Sequence, residues 1–487
     1  MVGKESKMKN KFIRKWLVIL TVAAMMIPAG IPANAETVEE GENIAPTAGI
    51  SAETPNVTAE TQKEEISAEM PDMTAETQNE EKSDVQAEGQ NQAKQGVLEA
   101  VRQNTEKAEE ASDAVDVQAE ERTAGEVQIG EQIYPTLTEA FAAAKDGDVL
   151  RLLENAEVSQ PILLTKNVTL DTNGFTVSAA AGFKGNFMFT NRGTFNIVGS
   201  GKIDGSVGTY PLIMINNTGG AVLNIQSSEI TGQGVVQNVG GIVNITGGTL
   251  TASARNTVLS QFGEVHIGAS AHLMAAGEGK SAVQLIGAKM TLSGDAVLSV
   301  NGGIDVVNSN RNEEGTVSAQ VEITGGRIET KDFPVSGNNQ ESAGAEVAIT
   351  GGSLKNISGG TAIYWPMEGQ LTIGSNAVIE GGTGIEAKMG TITIKDNAVI
   401  TGSGEWKEEK PQNGGANPEG SAFLGSAQMY DGCINDSSLV VNILGGTLKS
   451  VNGNAVTIYN TEEKSDVRAD ISVTGGSLQP AAGKGAV

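Results

Sequence analysis

The stretch VNITGGTL at residues 243–250 decides the fold. Val243 and Ile245 flank a polar residue, the alternation of a strand with one face buried, and the glycine pair then lets the chain turn sharply into a second strand that begins near Leu250. The phrase returns as VEITGGRI (321–328), VAITGGSL (347–354), VNILGGTL (441–448) and ISVTGGSL (471–478). Looser copies read FNIVGSGKI (195–203), LNIQSSEI (223–230), VHIGASAHL (265–273), MTLSGDAVL (290–298), LTIGSNAVI (371–379) and ITIKDNAVI (392–400). Successive starts lie 20 to 31 residues apart, with a single interval of 49 between 392 and 441. That is a solenoid period. One such unit cannot bury its own inner face, whereas stacking at about 4.8 Å per rung pairs each strand with its counterpart in the next coil. Residues 127–487 then form on the order of a dozen rungs, about 60 Å long. The class expected is all-β, a right-handed parallel β-helix.

Other all-β classes fit less well. An immunoglobulin-like array needs buried aromatic anchors, and only 4% of the 487 residues are aromatic. A propeller needs a longer period, a left-handed hexapeptide helix a strict period of six, and a calcium-binding nonapeptide repeat fixed glycine and aspartate positions. None of these patterns is present.

Upstream of the repeats the chain changes character twice. Lys4, Lys7, Lys9, Lys11, Arg14 and Lys15 precede an apolar run at 16–27 and the small-residue site Ala33-Asn34-Ala35, the three-part layout of a secretory signal over residues 1–35. The run is short for a membrane span, and no second one follows, so no span is expected in the mature chain. Residues 36–126 carry 24 acidic and 6 basic side chains with almost no aromatic residue, and a near-duplication relates 51–66 to 67–82. Such a segment cannot bury enough apolar surface to offset chain entropy and reads as a disordered acidic spacer. With Cys433 as the one cysteine, an intramolecular disulfide is excluded. The net charge of −26 repels phosphate backbones, which argues against nucleic acid as a partner.

Structure begins near Val127. Ile129, Ile133, Tyr134, Leu137, Phe141 and Ala144 have helix-compatible spacing, with Thr136 or Thr138 as the cap, and short apolar segments follow at 149–153, 161–164, 168–170 and 175–177. A helix at this point would close the open end of a stack of rungs. The run IYPTLTEAFAAAKDGDVLRLLENAEV (133–158), then NVTLDTNGFTV (167–177), then repeated ITGG rungs, resembles the N-terminal cap and coils of pectin-lyase-like right-handed β-helices, especially those on surface proteins of Firmicutes. The resemblance covers roughly 127–487. It implies the fold and display outside the cell. The polygalacturonase strings Asn-Thr-Asp, Gly-His-Gly and Arg-Ile-Lys are absent, as is the Trp-Ile-Asp-His of pectate lyases.

Candidate ligand-binding residues come from a second strand family. Val236-Gln237, Val258-Leu259, Val283-Gln284, Ile304-Asp305, Ile363-Tyr364, Ile385-Glu386 and Val456-Thr457 share an inward-outward frame. Stacked, they put Gln237, Gln284, Asp305, Tyr364 and Glu386 in one outward column, with Tyr364-Trp365 as an aromatic platform for a sugar ring and Asp305 and Glu386 beside it for hydroxyls. The plainer alternative has Trp365 pointing inward and the charges merely solvated. The long interval contains GEWKEEKPQNGGANPEGSAFLGSAQMYDG (404–432), an insertion whose Trp406, Phe423 and Tyr430 would offer a second recognition surface if it leaves the coil as a loop. His266 and His272, the only histidines, match no ligand spacing and read as surface residues.

These readings describe a non-enzymatic, adhesin-like surface module contacting polysaccharide or a host glycan or glycoprotein, with no catalytic residue, metal ligand or cofactor written into it. The alternative is a polysaccharide lyase or hydrolase, which needs two convergent carboxylates or carboxylates holding calcium beside a base. A third possibility is a structural stalk or host-protein-binding surface protein. The last phrase ends close to Val487 with no cap, sorting motif or apolar tail, so the domain is expected to continue beyond it.

Overall fold

A computed structural model describes residues 125–206, 209–307, 309–310, 316–337, 345–407, 415–426, 439–459 and 469–487. The signal segment, nearly all of the acidic spacer, Tyr430 and Cys433 lie outside the described residues. The described chain is a right-handed parallel β-helix whose walls are three sheets of 15, 13 and 12 strands. Each coil visits the sheets in turn: Ile242–Ile245 belongs to the first, Thr249–Ala252 to the second and Val258–Gln261 to the third, and Glu264–Ile267 opens the next coil on the first sheet.

The repeated phrase is the first wall, a corner and the second wall. Val243 stacks on Leu223 and under Val265, and Ile245 on Ile225 and under Ile267; all six are buried. The glycine pair has two separate jobs at the corner. At Gly247 a Cβ would stand 2.3 Å from the Gln226 carbonyl oxygen of the coil below, so the first glycine is required by close approach. At Gly248 the backbone takes φ of +83°, which L side chains adopt only with strain. The interval of 49 residues is not two coils. Gly390–Ile394 and Leu439–Ile443 are direct neighbours on the first wall, so one coil carries a long insertion.

The N-terminal end differs from the helical spacing read over 129–144. Val127–Ile129 and Gln132–Tyr134 form an antiparallel hairpin that joins the first wall through Val149–Leu152, and the helix, α1, is confined to Leu137–Ala143. Glycine at 130 with φ of +59° makes the tight turn that breaks the helical pattern. Thr136 caps α1 by accepting from the Glu139 N–H. Phe141 projects from α1 into an aromatic cluster with Phe189 and Phe195, ring centroids 5.9 and 6.1 Å away, and so seals the mouth of the coil.

A buried ladder of carboxamides fastens the corner between the third and first walls. The Asn191 Nδ2 donates to Asn217 Oδ1 at 2.8 Å, Asn217 Nδ2 to Asn238 Oδ1 at 2.9 Å, and Asn238 Nδ2 to Ser260 Oγ at 3.0 Å. The same amides reach the corner carbonyls of Val222, Ala221, Ile242 and Gly241. The Ala221 and Gly241 carbonyls also accept the Ile242 and Glu264 backbone N–H groups of the next coil, both at 2.9 Å, so the amides add a second donor at a corner that the coils already share. Removal of Asn217 takes the donor from the buried Asn238 Oδ1 and one of the two acceptors from the Asn191 amide. Asn217→Ala is therefore expected to lower stability by on the order of 3 kcal/mol in urea unfolding followed by circular dichroism. A loss below about 0.5 kcal/mol would show that the ladder is dispensable.

Candidate binding surfaces

The register of the third wall orders its outward column as Asn216, Gln237, Leu259, Gln284, Asp305, Ser336, Tyr364, Glu386, Leu424 and Thr457. Three positions are additional to the expected column: Asn216 from the preceding coil, Ser336, whose strand Val335–Gly337 has too little apolar content to stand out, and Leu424 from the insertion. In the middle of the column the side chains hold one another. Asn256 Nδ2 donates to Gln284 Oε1 at 2.9 Å, Gln284 Nε2 to Asp305 Oδ2 at 2.7 Å, and Ser336 Oγ to Asp305 Oδ1 at 3.3 Å. Burial pushes the Asp305 carboxyl above the usual carboxylate range, and the two donors only partly offset this.

The aromatic part of the site is not arranged as expected. Trp365 is fully buried and belongs to the core, opposite Ala387 in the register. It follows from the alternation that places Ile363 inward and Tyr364 outward that Trp365 returns inward. It therefore offers no face to a sugar. Tyr364 is itself 7% exposed and stacks against Phe333, which is half-buried, with ring centroids 5.2 Å apart and planes at 25°.

Glu386 does face outward, but the segment at 415–421 folds over it. The Asn417 backbone N–H donates to both carboxylate oxygens at 2.9 and 2.8 Å, Thr361 Oγ1 donates at 3.1 Å, and Lys388 Nζ lies 2.8 Å from Oε1. Glu386 is 0% and Lys388 2% exposed, so the pair is sealed from solvent and is not part of an open column with Asp305. Beside it Glu419 is also buried. Ser421 and Tyr459 donate to its carboxylate at 2.5 and 3.3 Å, and burial raises its proton affinity, with the nearby charge of Glu386 adding to the effect. Phe423, expected in a loop, is a buried rung residue of the third wall within Phe423–Ser426. Trp406 is half-buried. Its ring carries Lys484 Nζ at 4.7 Å from its centroid and presses on Gly453, where a Cβ would come within 2.2 Å of ring atom Cε3. It acts as a clasp between the insertion and the last described coils.

A concave surface lies on a different wall. On the outer face of the first wall, a shallow groove of about 450 Å³ runs across five successive coils, from Glu264 and His266 through Lys289 and Thr291, Gln320 and Glu322, and Glu346 and Ala348 to Gln370 and Thr372. Two outward columns line it. His266 bridges Thr291, with Nδ1 to Oγ1 at 2.9 Å, and Glu264, with Nε2 to Oε2 at 3.5 Å; Lys289 Nζ stands 4.0 Å from the other Glu264 oxygen. The chain departs from the coil just before one of these strands, where the antiparallel pair Ser309–Asn310 and Thr316–Val317 precedes Gln320–Ile323. His272 belongs to the second wall and meets Ser299, so the two histidines do not form a pair. Among the described residues no group of three or more His, Cys, Asp or Glu is placed to hold a metal ion, and no helix is long and apolar enough to cross a membrane. No family model, curated protein or solved structure matches this chain.

Two measurements test these placements. Trp365→Ala should cost about 3–5 kcal/mol in thermal or urea unfolding, because a cavity opens inside the coil. Trp365→Phe should cost less, because Nε1 finds no hydrogen-bond partner in the core. Equal stability of Trp365→Ala and the parent chain would place the ring outside. For Asp305, a folded-state pKa above the unfolded one means that the native state binds the proton more tightly, so its contribution to stability is present in acid and falls as pH rises from about 4 upward. The stability of Asp305→Asn relative to the parent should therefore increase between acid and neutral pH. A flat or declining difference would contradict the burial of this carboxyl.

Proposed function

We propose that this chain is an exported, surface-displayed β-helix of the pectin-lyase-like kind that binds an extended glycan and does not cleave it. The observation that carries this reading is the groove on the first wall. Its floor is the outer face of a sheet whose N–H and C=O groups are already spent between coils, so a ligand lying there meets side chains only. A peptide that binds by adding a strand to a sheet has no edge to use on this face. The lining of Glu, Gln, Thr, His and Lys supplies both donors and acceptors, which suits a polymer of hydroxyl-bearing rings. The rise from coil to coil, about 4.8 Å, also lets such a polymer meet equivalent positions repeatedly along the axis.

The arrangement of carboxylates favours binding over cleavage. Asp305 and Glu386 stand three rungs apart, about 14 Å at this rise. Glycosidase pairs lie about 5–9.5 Å apart on opposite sides of the scissile bond. Glu386 is in addition covered. Glu322 and Glu346 share a single flat wall and do not flank the groove from two sides.

The test is a glycan array probed with the full chain and with Ala348→Trp, which fills the groove from an outward position and leaves the core untouched. The parent chain is expected to bind an extended polysaccharide. Ala348→Trp should lose at least about tenfold in affinity with an unchanged unfolding midpoint. Undiminished binding would move the site elsewhere. New reducing ends or unsaturated products on incubation with acidic and neutral polysaccharides, with or without calcium, would overturn the non-catalytic reading.

A further inference from the structure

We infer that the groove on the first wall selects glycans carrying free amino groups, an inference that rests on its being a glycan site. Charge is unevenly compensated along the five coils. At one end both basic side chains are already engaged by a single carboxylate: Glu264 has Lys289 at 4.0 Å and His266 at 3.5 Å. In the middle the balance is different. Glu322 and Glu346 sit on adjacent coils in the two outward columns, Glu322 opposite Ala348 and Glu346 opposite Gln320. Both are exposed, and among the described residues neither has an ion-pair partner. Ala348 is the one member of these columns in the groove without a polar side chain, so open volume is left beside Glu322.

A ligand seated in the groove takes both carboxylates partly out of water. A neutral polymer compensates them only by hydroxyl hydrogen bonds, and an acidic one adds repulsion to a chain that is already strongly negative. An ammonium group on the ring supplies the missing partner as a charge-assisted hydrogen bond, stronger than a neutral one. At its own end of the groove the Glu264 carboxylate, 4.0 Å from Lys289, offsets the attraction that this lysine offers a uronate. The groove thus discriminates by repulsion as well as by attraction.

The test uses the full chain and three probes of matched length: a β-1,4-linked glucosamine oligomer with free amines, its fully N-acetylated counterpart, and an oligogalacturonate. Titration calorimetry is run on the parent chain and on Glu322→Gln/Glu346→Gln, with melting curves to show that folding is retained. The expected result is preferential binding of the free-amine oligomer, weakened about tenfold or more by the double substitution and by added salt. Binding of the acetylated or acidic oligomer equal to or tighter than that of the amine form would overturn the inference and leave the groove as a glycan site. So would an amine affinity unchanged by the double substitution. If none of the probes binds and the glycan array is empty as well, the groove reading falls together with it.

Discussion

Every wall of this molecule depends on one constraint, the stacking of a coil on its predecessor at the spacing of a backbone hydrogen bond. An inward side chain must pack on the residue directly below it, which is why Val243 stands between Leu223 and Val265, and why a tryptophan at 365 is accommodated beside an alanine at 387. Corners obey the same spacing with different chemistry. At the corners glycine removes the Cβ that would strike a carbonyl below, and an asparagine ladder adds side-chain hydrogen bonds to the backbone bonds that run from coil to coil.

That constraint explains what was legible in the sequence. VNITGGTL and its relatives reveal the first wall, the corner and the second wall because all three are written in consecutive residues. The third wall was legible in part. Val236, Val283, Ile304, Ile363 and Ile385 could be aligned by their inward-outward frame, but Val335 and Phe423 sit in segments with no such surroundings. The carboxamide ladder left only a trace, since Asn191, Asn217 and Asn238 are spaced by the lengths of whole coils and precede glycine-containing turns.

The candidate site was less legible because surface exposure is not a property of a strand alone. Alternation alone assigns Trp365 to the interior, and pairing it with Tyr364 as a platform set the aromatic signal above the pleat. Alternation also assigns Glu386 to the exterior, correctly. What covers it is a backbone segment arriving from about thirty residues downstream, and no periodicity announces that. The groove was hidden for the opposite reason. His266, Glu322 and Thr372 occupy the polar slot of the repeated phrase, where any polar residue satisfies the fold, so their lateral association appears only once the register is known.

The aromatic seal beneath α1 gives the coil a defined beginning. Phe141 closes one mouth by a shape made for that position, whereas each later coil merely presents to the next what it received from the one before. The number of coils is then a free parameter of inheritance. A gene encoding such a chain can gain or lose a whole turn by unequal exchange between neighbouring ITGG segments, with both flanking turns finding a familiar surface. A turn gained or lost among the five coils from Glu264 to Thr372 would lengthen or shorten the groove by one step without redesign of the fold.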